Sequence, residues 1–411
     1  MPVTYKVYPY RWVVLAVFML INLTIQIEWI CFAPITGPAA SYYGVTTLQI
    51  GFFAMSFMVV YIPLSIPISW MIDSMGYRKA VGIGAALMGV FSLLRGIFAA
   101  DYTWVLISTL GVALAQPFLM NAISTVAGRW FPIQERATAA GLPMVANFVG
   151  TAIGQVVTPL LITGGDGTIL VSLIPTMLMT YGAVNAAAAV LFLLLNRDAP
   201  PTPPCPPELE GRALMLDGLK TMLRMKDVWV LLALFLIGMG IFNGVSTWIE
   251  GIIAPRGFTV SQVGEFGAFL LFGGIVGAEV IPALSDKFRR RKFFLLVSIV
   301  CTVPWLVGIT FATSYLLMAA CMFLLGFFLV SLAPIGYQYA AEITYPAPEG
   351  TSNGLLNLAG QASVVFVYAM EAFKGTDGTF TLSLLILVGL MVLGSFLVTA
   401  LTESKLIKAQ A

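Results

Sequence analysis

Glu28 and Trp29 are adjacent inside an apolar run that begins at Trp12. A carboxylate beside an indole face suits an organic cation, since charge pairing attracts it and the ring quadrupole adds a cation–π contact. The same carboxylate can carry a proton, because burial favours its neutral form. It can also bond a neighbouring amide in a helix–helix contact, and the residues alone leave these three roles open. Polar residues recur at helical spacing around this pair and in three other apolar runs. Asn22, Gln26 and Trp29 form one stripe, and Asn147, Thr151, Gln155 and Thr158 a second. Asn243, Ser246, Thr247 and Glu250 form a third, and Asn353, Asn357, Gln361 and Tyr368 a fourth. Spacings of three, four, seven or eight residues place each set along one helix face. In lipid such residues are costly and face the bundle interior. The four stripes are therefore the expected walls of a polar cavity, with Glu28 and Glu250 as candidates to couple a proton to movement through it.

Other chemistries have no residues to perform them. The 411-residue chain has no histidine, so the commonest zinc ligand, haem axial ligand and proton carrier near neutral pH are missing. Cys31, Cys205, Cys301 and Cys321 lie far apart with no CxxC pairing, and read as small hydrophobes rather than metal ligands or disulfides. No GxSxG, HExxH or closely spaced carboxylate pair occurs, so no enzyme, cofactor or metal site is expected. A net charge of +2 leaves no basic face for nucleic acid.

The elements that must carry the stripes are membrane helices. Hydrophobic residues make up 59% of the chain and charged ones 10%, with a mean hydropathy of +0.95; a soluble domain has about 25% charged residues. Scanning for runs of roughly 20 apolar residues gives six spans near 12–41, 46–72, 79–99, 103–128, 134–162 and 168–195. Six more lie near 228–254, 260–286, 291–311, 314–341, 346–372 and 379–402. The expected domains are thus a six-helix bundle over 1–195, a proline-rich linker over 196–227 and a second bundle over 228–411. The first span has no small-residue cleavage site and reads as an anchor that stays. With both termini in the cytoplasm, 18 of the 21 Lys and Arg fall on that side, as the positive-inside rule requires. Arg95, near the outer end of the third span, is expected to snorkel outward.

The two halves repeat. Asp73 in WMIDSMGYRK precedes Asp286 in ALSDKFRRRK by 213 residues, and Phe131-Pro132-x-x-Glu135 precedes Tyr345-Pro346-x-x-Glu349 by 214. The same offset carries Trp29 to Asn243 and Asn147 to Gln361, so loops and stripes align together. Acids ending one helix and bases opening the next can clamp a gate by ion pairs and helix-end dipoles. Asp73, Arg78, Asp286, Arg289, Glu135 and Arg136 are the expected gate residues.

The run from Asp73 to Lys79, D-x-x-G-x-R-K, resembles the conserved cytoplasmic motif of the major facilitator superfamily, with Ser69 where that family has glycine. More narrowly, YRW at Tyr10, EW at Glu28, YYGVTTLQI at Tyr42, AQPF at Ala115, NFVGTAIG at Asn147, GVST at Gly244 and EITYPAPEGTSNGLLN at Glu342 resemble the feline leukaemia virus subgroup C receptor (FLVCR) branch of solute carriers. The resemblance covers nearly all twelve spans. It implies the all-α major facilitator fold of two pseudo-symmetric six-helix bundles; the expectation is a monomeric plasma-membrane transporter, with the short termini and sparse loops pointing to a prokaryotic inner membrane as the alternative. It also implies facilitative transport of choline and ethanolamine, with haem, the family's earlier assignment, as an alternative cargo. The family's span-one tryptophan maps to Trp29 and its span-eleven glutamine to Gln361. Its choline-site tyrosine falls at Asn243 and its span-five glutamine at Phe148. Glu28 stands where vertebrate members have glutamine, and Glu250 replaces an amide. The expectation is a small polar, cationic substrate held by Trp29 and Glu28, with Asn243, Gln361, Asn147 and Phe148 completing the wall. The rival is a proton-coupled exporter in which Glu28 carries the proton.

Overall fold

Long uninterrupted apolar runs can satisfy their backbone in lipid only as helices, and the computed structural model is almost entirely helical over its described residues, which are 6–132, 135–165, 167–204, 222–344 and 349–403. Twelve helices are long and apolar enough to span a bilayer. They are α1 (Arg11–Tyr43), α2 (Thr47–Met75), α3 (Tyr77–Ile97), α4 (Tyr102–Trp130), α5 (Thr138–Ile162) and α6 (Val171–Leu195). The second six are α7 (Lys226–Thr247), α8 (Val260–Phe288), α9 (Arg291–Phe311), α10 (Tyr315–Thr344), α11 (Ser352–Ala372) and α12 (Thr381–Thr399). The expected twelve-span, all-α class is what the chain adopts. Cys205 and residues 205–221 of the expected linker lie outside the described residues.

The chain divides into two compact units, Met1–Leu209 and Glu210–Ala411. Each builds its helices from the same parts. Thr46 and Gln49 close a capping box on α2, and Thr259 and Gln262 close one on α8, 213 residues on; each box satisfies two amides that the first helical turn leaves without partners. α2 and α8 are both 29 residues long, and α3 and α9 are both 21.

In the first unit α1 lies along α5 and α6, and α3 along α4 and α6. α1 and α5 touch backbone to backbone: a Cβ on Gly150 would collide with the Leu23 carbonyl oxygen. Only glycine permits that approach, as small residues do at membrane helix interfaces. In the second unit the tightest pairing is α8 with α10.

α1 is not one continuous helix. Its first segment, Arg11–Ile30, gives way to a 3-10 turn at Ala33–Ile35 before Thr36–Tyr43 continues. Pro34 has no N–H to donate to the carbonyl four residues back, which breaks the ladder there. The break falls immediately after Glu28-Trp29, and this places the pair at a helix end.

Candidate functional site

Glu28 is 1% exposed and its carboxylate is occupied. Arg95 of α3, also 1% exposed, forms an ion pair with Oε2. Asn185 Nδ2 of α6 donates to Oε1 at 3.0 Å. The guanidinium also donates to the Glu28 backbone carbonyl at 3.2 Å and approaches Cys31 Sγ at 3.2 Å, with its centre 5.0 Å from the Phe32 ring. Arg95 therefore does not snorkel outward. It turns inward because it finds a carboxylate, a carbonyl at a helix C-terminus and an aromatic face, each of which favours a cation. This corrects the expectation for Arg95 and changes the reading of Glu28, whose charge meets a resident cation rather than standing open to a substrate.

Trp29 is 8% exposed, and its indole N–H donates to the Ala54 carbonyl of α2 at 3.2 Å. With the N–H used, the polar property left to the ring is the negative face of its π-system. Gln26 and Asn147 are buried, and their amide oxygens have no hydrogen-bond partner among the described residues. Contacts of Gly150 with Leu23 and of Gly154 with Ile27 set the register of α5 on α1. That register puts Gln155 level with Glu28, and Asn147 about two turns, roughly 12 Å, along the helix. Phe148 is half-buried next to Asn147. The first-unit residues thus share two neighbouring helices but not one level.

In the second unit Asn243 Nδ2 donates to Ser363 Oγ at 3.0 Å, joining α7 to α11. Thr247 is buried one turn further along α7. Gln361 is half-buried, while Asn357 is exposed and accepts a hydrogen bond from the Tyr337 hydroxyl of α10. Glu250 is half-buried in the short helix Ile249–Ile253 beyond the end of α7. Ser363 and Tyr337 are not singled out by the sequence, since each bond crosses between helices, 120 residues apart for Asn243–Ser363 and between the consecutive α10 and α11 for Tyr337–Asn357.

The charged ends of the bundles are wired differently from the motif reading. Asp73 and Arg78 are both exposed, and no ion pair joins them among the described residues. The acid that matters locally is Asp198, just past α6. Its carboxylate accepts the Arg78 backbone N–H at 2.9 Å and pairs with Arg129 of α4 at 2.6 Å. Gly76, at φ 88°, reverses the chain between α2 and α3 and leaves room for that carboxylate. Glu135 pairs with Arg11 at 2.9 Å, and Arg136 donates to the Gly128 carbonyl at 3.2 Å. In the second unit the partner of Asp286 is Arg291, not Arg289. Arg291 also donates to Glu342 through Nε at 3.1 Å and Nη2 at 3.0 Å, whereas Arg289 ends α8 in the left-handed conformation. Arg291, in the first turn of α9, reaches back to the end of α8. The side chain of Glu349 lies outside the described residues.

The Major Facilitator Superfamily profile matches residues 18–368. Solute carrier family 49 member A3 of Xenopus tropicalis is 28% identical over 373 residues, which cover 87% of this chain and 76% of that protein. Choline/ethanolamine transporter FLVCR2 of Rattus norvegicus is 28% identical over 422 residues, covering 99% of this chain and 77% of that one. Among solved structures, a bacterial homologue of the human lysosomal transporter Spinster, inward-facing and unoccupied, superposes with a TM-score of 0.79 at 16% identity. The superposition covers 96% of this chain and 97% of that one. A D-xylose–proton symporter gives a TM-score of 0.71 at 16% identity, over 96% and 99% of the two chains.

Proposed function

Because the chain belongs to the Major Facilitator Superfamily, we propose that this multi-pass membrane transporter moves a small cationic metabolite of the choline or ethanolamine type by alternating access. It does so as a single chain in the plasma membrane, with both termini in the cytoplasm. The observation that carries the substrate class is the state of Trp29: its N–H is spent on Ala54, so it offers a ligand a π-face. A quaternary ammonium has no N–H to donate and is recognised by aromatic faces and carbonyl dipoles. The unpartnered amide oxygens of Gln26 and Asn147 supply such dipoles from the same pair of helices. Glu28 contributes through its pairing with Arg95, not as a free counter-ion. Asn147, Phe148 and Gln155 of the first unit and Asn243, Thr247, Asn357 and Gln361 of the second are the further residues assigned to the substrate. The choline/ethanolamine names of relatives such as FLVCR2 support the same class.

The test is a thermal-shift screen of purified protein against choline, ethanolamine, other amines, carboxylates and haem, followed by uptake into proteoliposomes. Amines should raise the melting temperature, and the Trp29→Ala variant should lose that response. A response confined to anions would overturn the cationic assignment. Uptake that requires an imposed pH gradient would move the reading to the proton-coupled exporter.

A further inference from the structure

The cluster around Arg95 draws residues from two other helices onto one short segment of α1. Arg95 of α3 binds both the carboxylate and the backbone carbonyl of Glu28 and reaches Cys31 Sγ, three residues on. Asn185 of α6 holds the other carboxylate oxygen at 3.0 Å and is itself fixed on the Tyr181 carbonyl at 3.1 Å. The segment so gripped, Glu28 to Phe32, is where the first part of α1 ends. The last carbonyls of a helix have no partner within it, and the guanidinium supplies one.

The fold itself does not require these charges. The repeat offset of 214 takes Glu28 to Phe242 and Arg95 to Ile309. Both counterparts are buried and apolar, 8% and 0% exposed. A buried ion pair is often no more stabilising than well-packed apolar residues of similar volume; here it ties the end of the first α1 segment to α3. Trp29 follows Glu28 directly, and its ring is tied at the other edge to Ala54.

We infer that Arg95 and Asn185 are positioning residues for substrate recognition: acting through Glu28, they hold the break in α1 and so set the orientation of Trp29. This rests on the reading that Trp29 contacts the substrate. Neither Arg95 nor Asn185 touches the substrate in this scheme, and the affinity for an amine depends on both.

The experiment uses the full chain in lipid nanodiscs, labelled with 5-fluorotryptophan, with Trp29→Phe identifying the Trp29 fluorine resonance. Asn185→Ala and Arg95→Lys should displace or broaden that resonance and leave those of Trp104 and Trp229 in place. In proteoliposomes the same variants should raise the KM for choline about tenfold, as loss of a supporting residue does in other sites, with little change in maximal rate. Should the single variants fold poorly, Glu28→Gln combined with Arg95→Met removes both charges together. A displaced Trp29 resonance in that folded double variant supports the inference. An unshifted resonance in all folded variants, or an unshifted KM in a variant whose protein transports choline, overturns it. If the wild type carries no choline yet the Trp29 resonance moves, the positioning role stands and the substrate assignment falls.

Discussion

Glu28 and Arg95 are 67 residues apart in sequence and meet where water is excluded. Removing one member of a buried pair strands the other, at a cost of about 3–5 kcal/mol. Glu28→Gln or Arg95→Met alone should therefore lower the melting temperature sharply in detergent, and the double replacement should recover most of the loss. A double variant no more stable than the worse single one would deny that the two charges answer each other. Trp29→Phe keeps a ring face but loses the N–H to Ala54. It should retain more amine binding than Trp29→Ala, measured by thermal shift, if the ring face is what the ligand uses. The Glu28-Trp29 dipeptide could be seen in the sequence because a charge inside an apolar run stands out by itself. Its partner could not. Arg95 sits close enough to a span end for an outward snorkel to satisfy it, and nothing local marks Asn185 as the third member.

At the level of elements, the spans were legible because each is a long apolar run, and the repeat because loops and stripes share one offset. The gate wiring was not. Asp73 and Arg78 carry the motif, but the carboxylate on the start of α3 comes from Asp198, 120 residues after the amide it caps. Capping is decided by which chain folds back over a helix end, and the sequence around Asp198 shows only a polar exit from α6. Asp198→Ala removes a cap and the partner of Arg129. Loss of a capping side chain costs about 1 kcal/mol, so amide exchange should rise in the first turn of α3 while the middle of that helix is unaffected. The contact of Gly150 with Leu23 sets a different limit. Gly150→Ala forces α1 from α5, and overpacking of this kind costs about 1–3 kcal/mol; the expected result is a lower melting temperature together with weaker amine binding, because Trp29 rides on the displaced helix. A Gly150→Ala protein with unchanged stability and binding would show that α1 and α5 have room to separate.

Over the whole molecule the most consequential signal is the placement of charge. Of the 21 Lys and Arg, 18 lie at the termini and in the loops assigned to the cytoplasm. All three exceptions are held by other contacts, Lys374 by an ion pair with Glu371 at 3.3 Å. Arg95 is committed to Glu28, and Arg256 donates to the carbonyls of Ile252 and Thr310. A basic residue bonded inside its own bundle is a weaker topological signal than one in an open loop, since orientation follows the basic residues flanking the spans. With the three exceptions so accounted for, the other 18 support the assignment of both termini to the cytoplasm. In a protein with its four cysteines replaced, Lys6→Cys should resist a membrane-impermeant maleimide added outside intact cells and react once the membrane is opened. Thr376→Cys, in the exposed turn between α11 and α12, should react at once. The opposite pattern would invert the molecule. It would leave the twelve helices and the buried cluster as they are, but would place Asp198, Arg291 and their partners at the outer mouth.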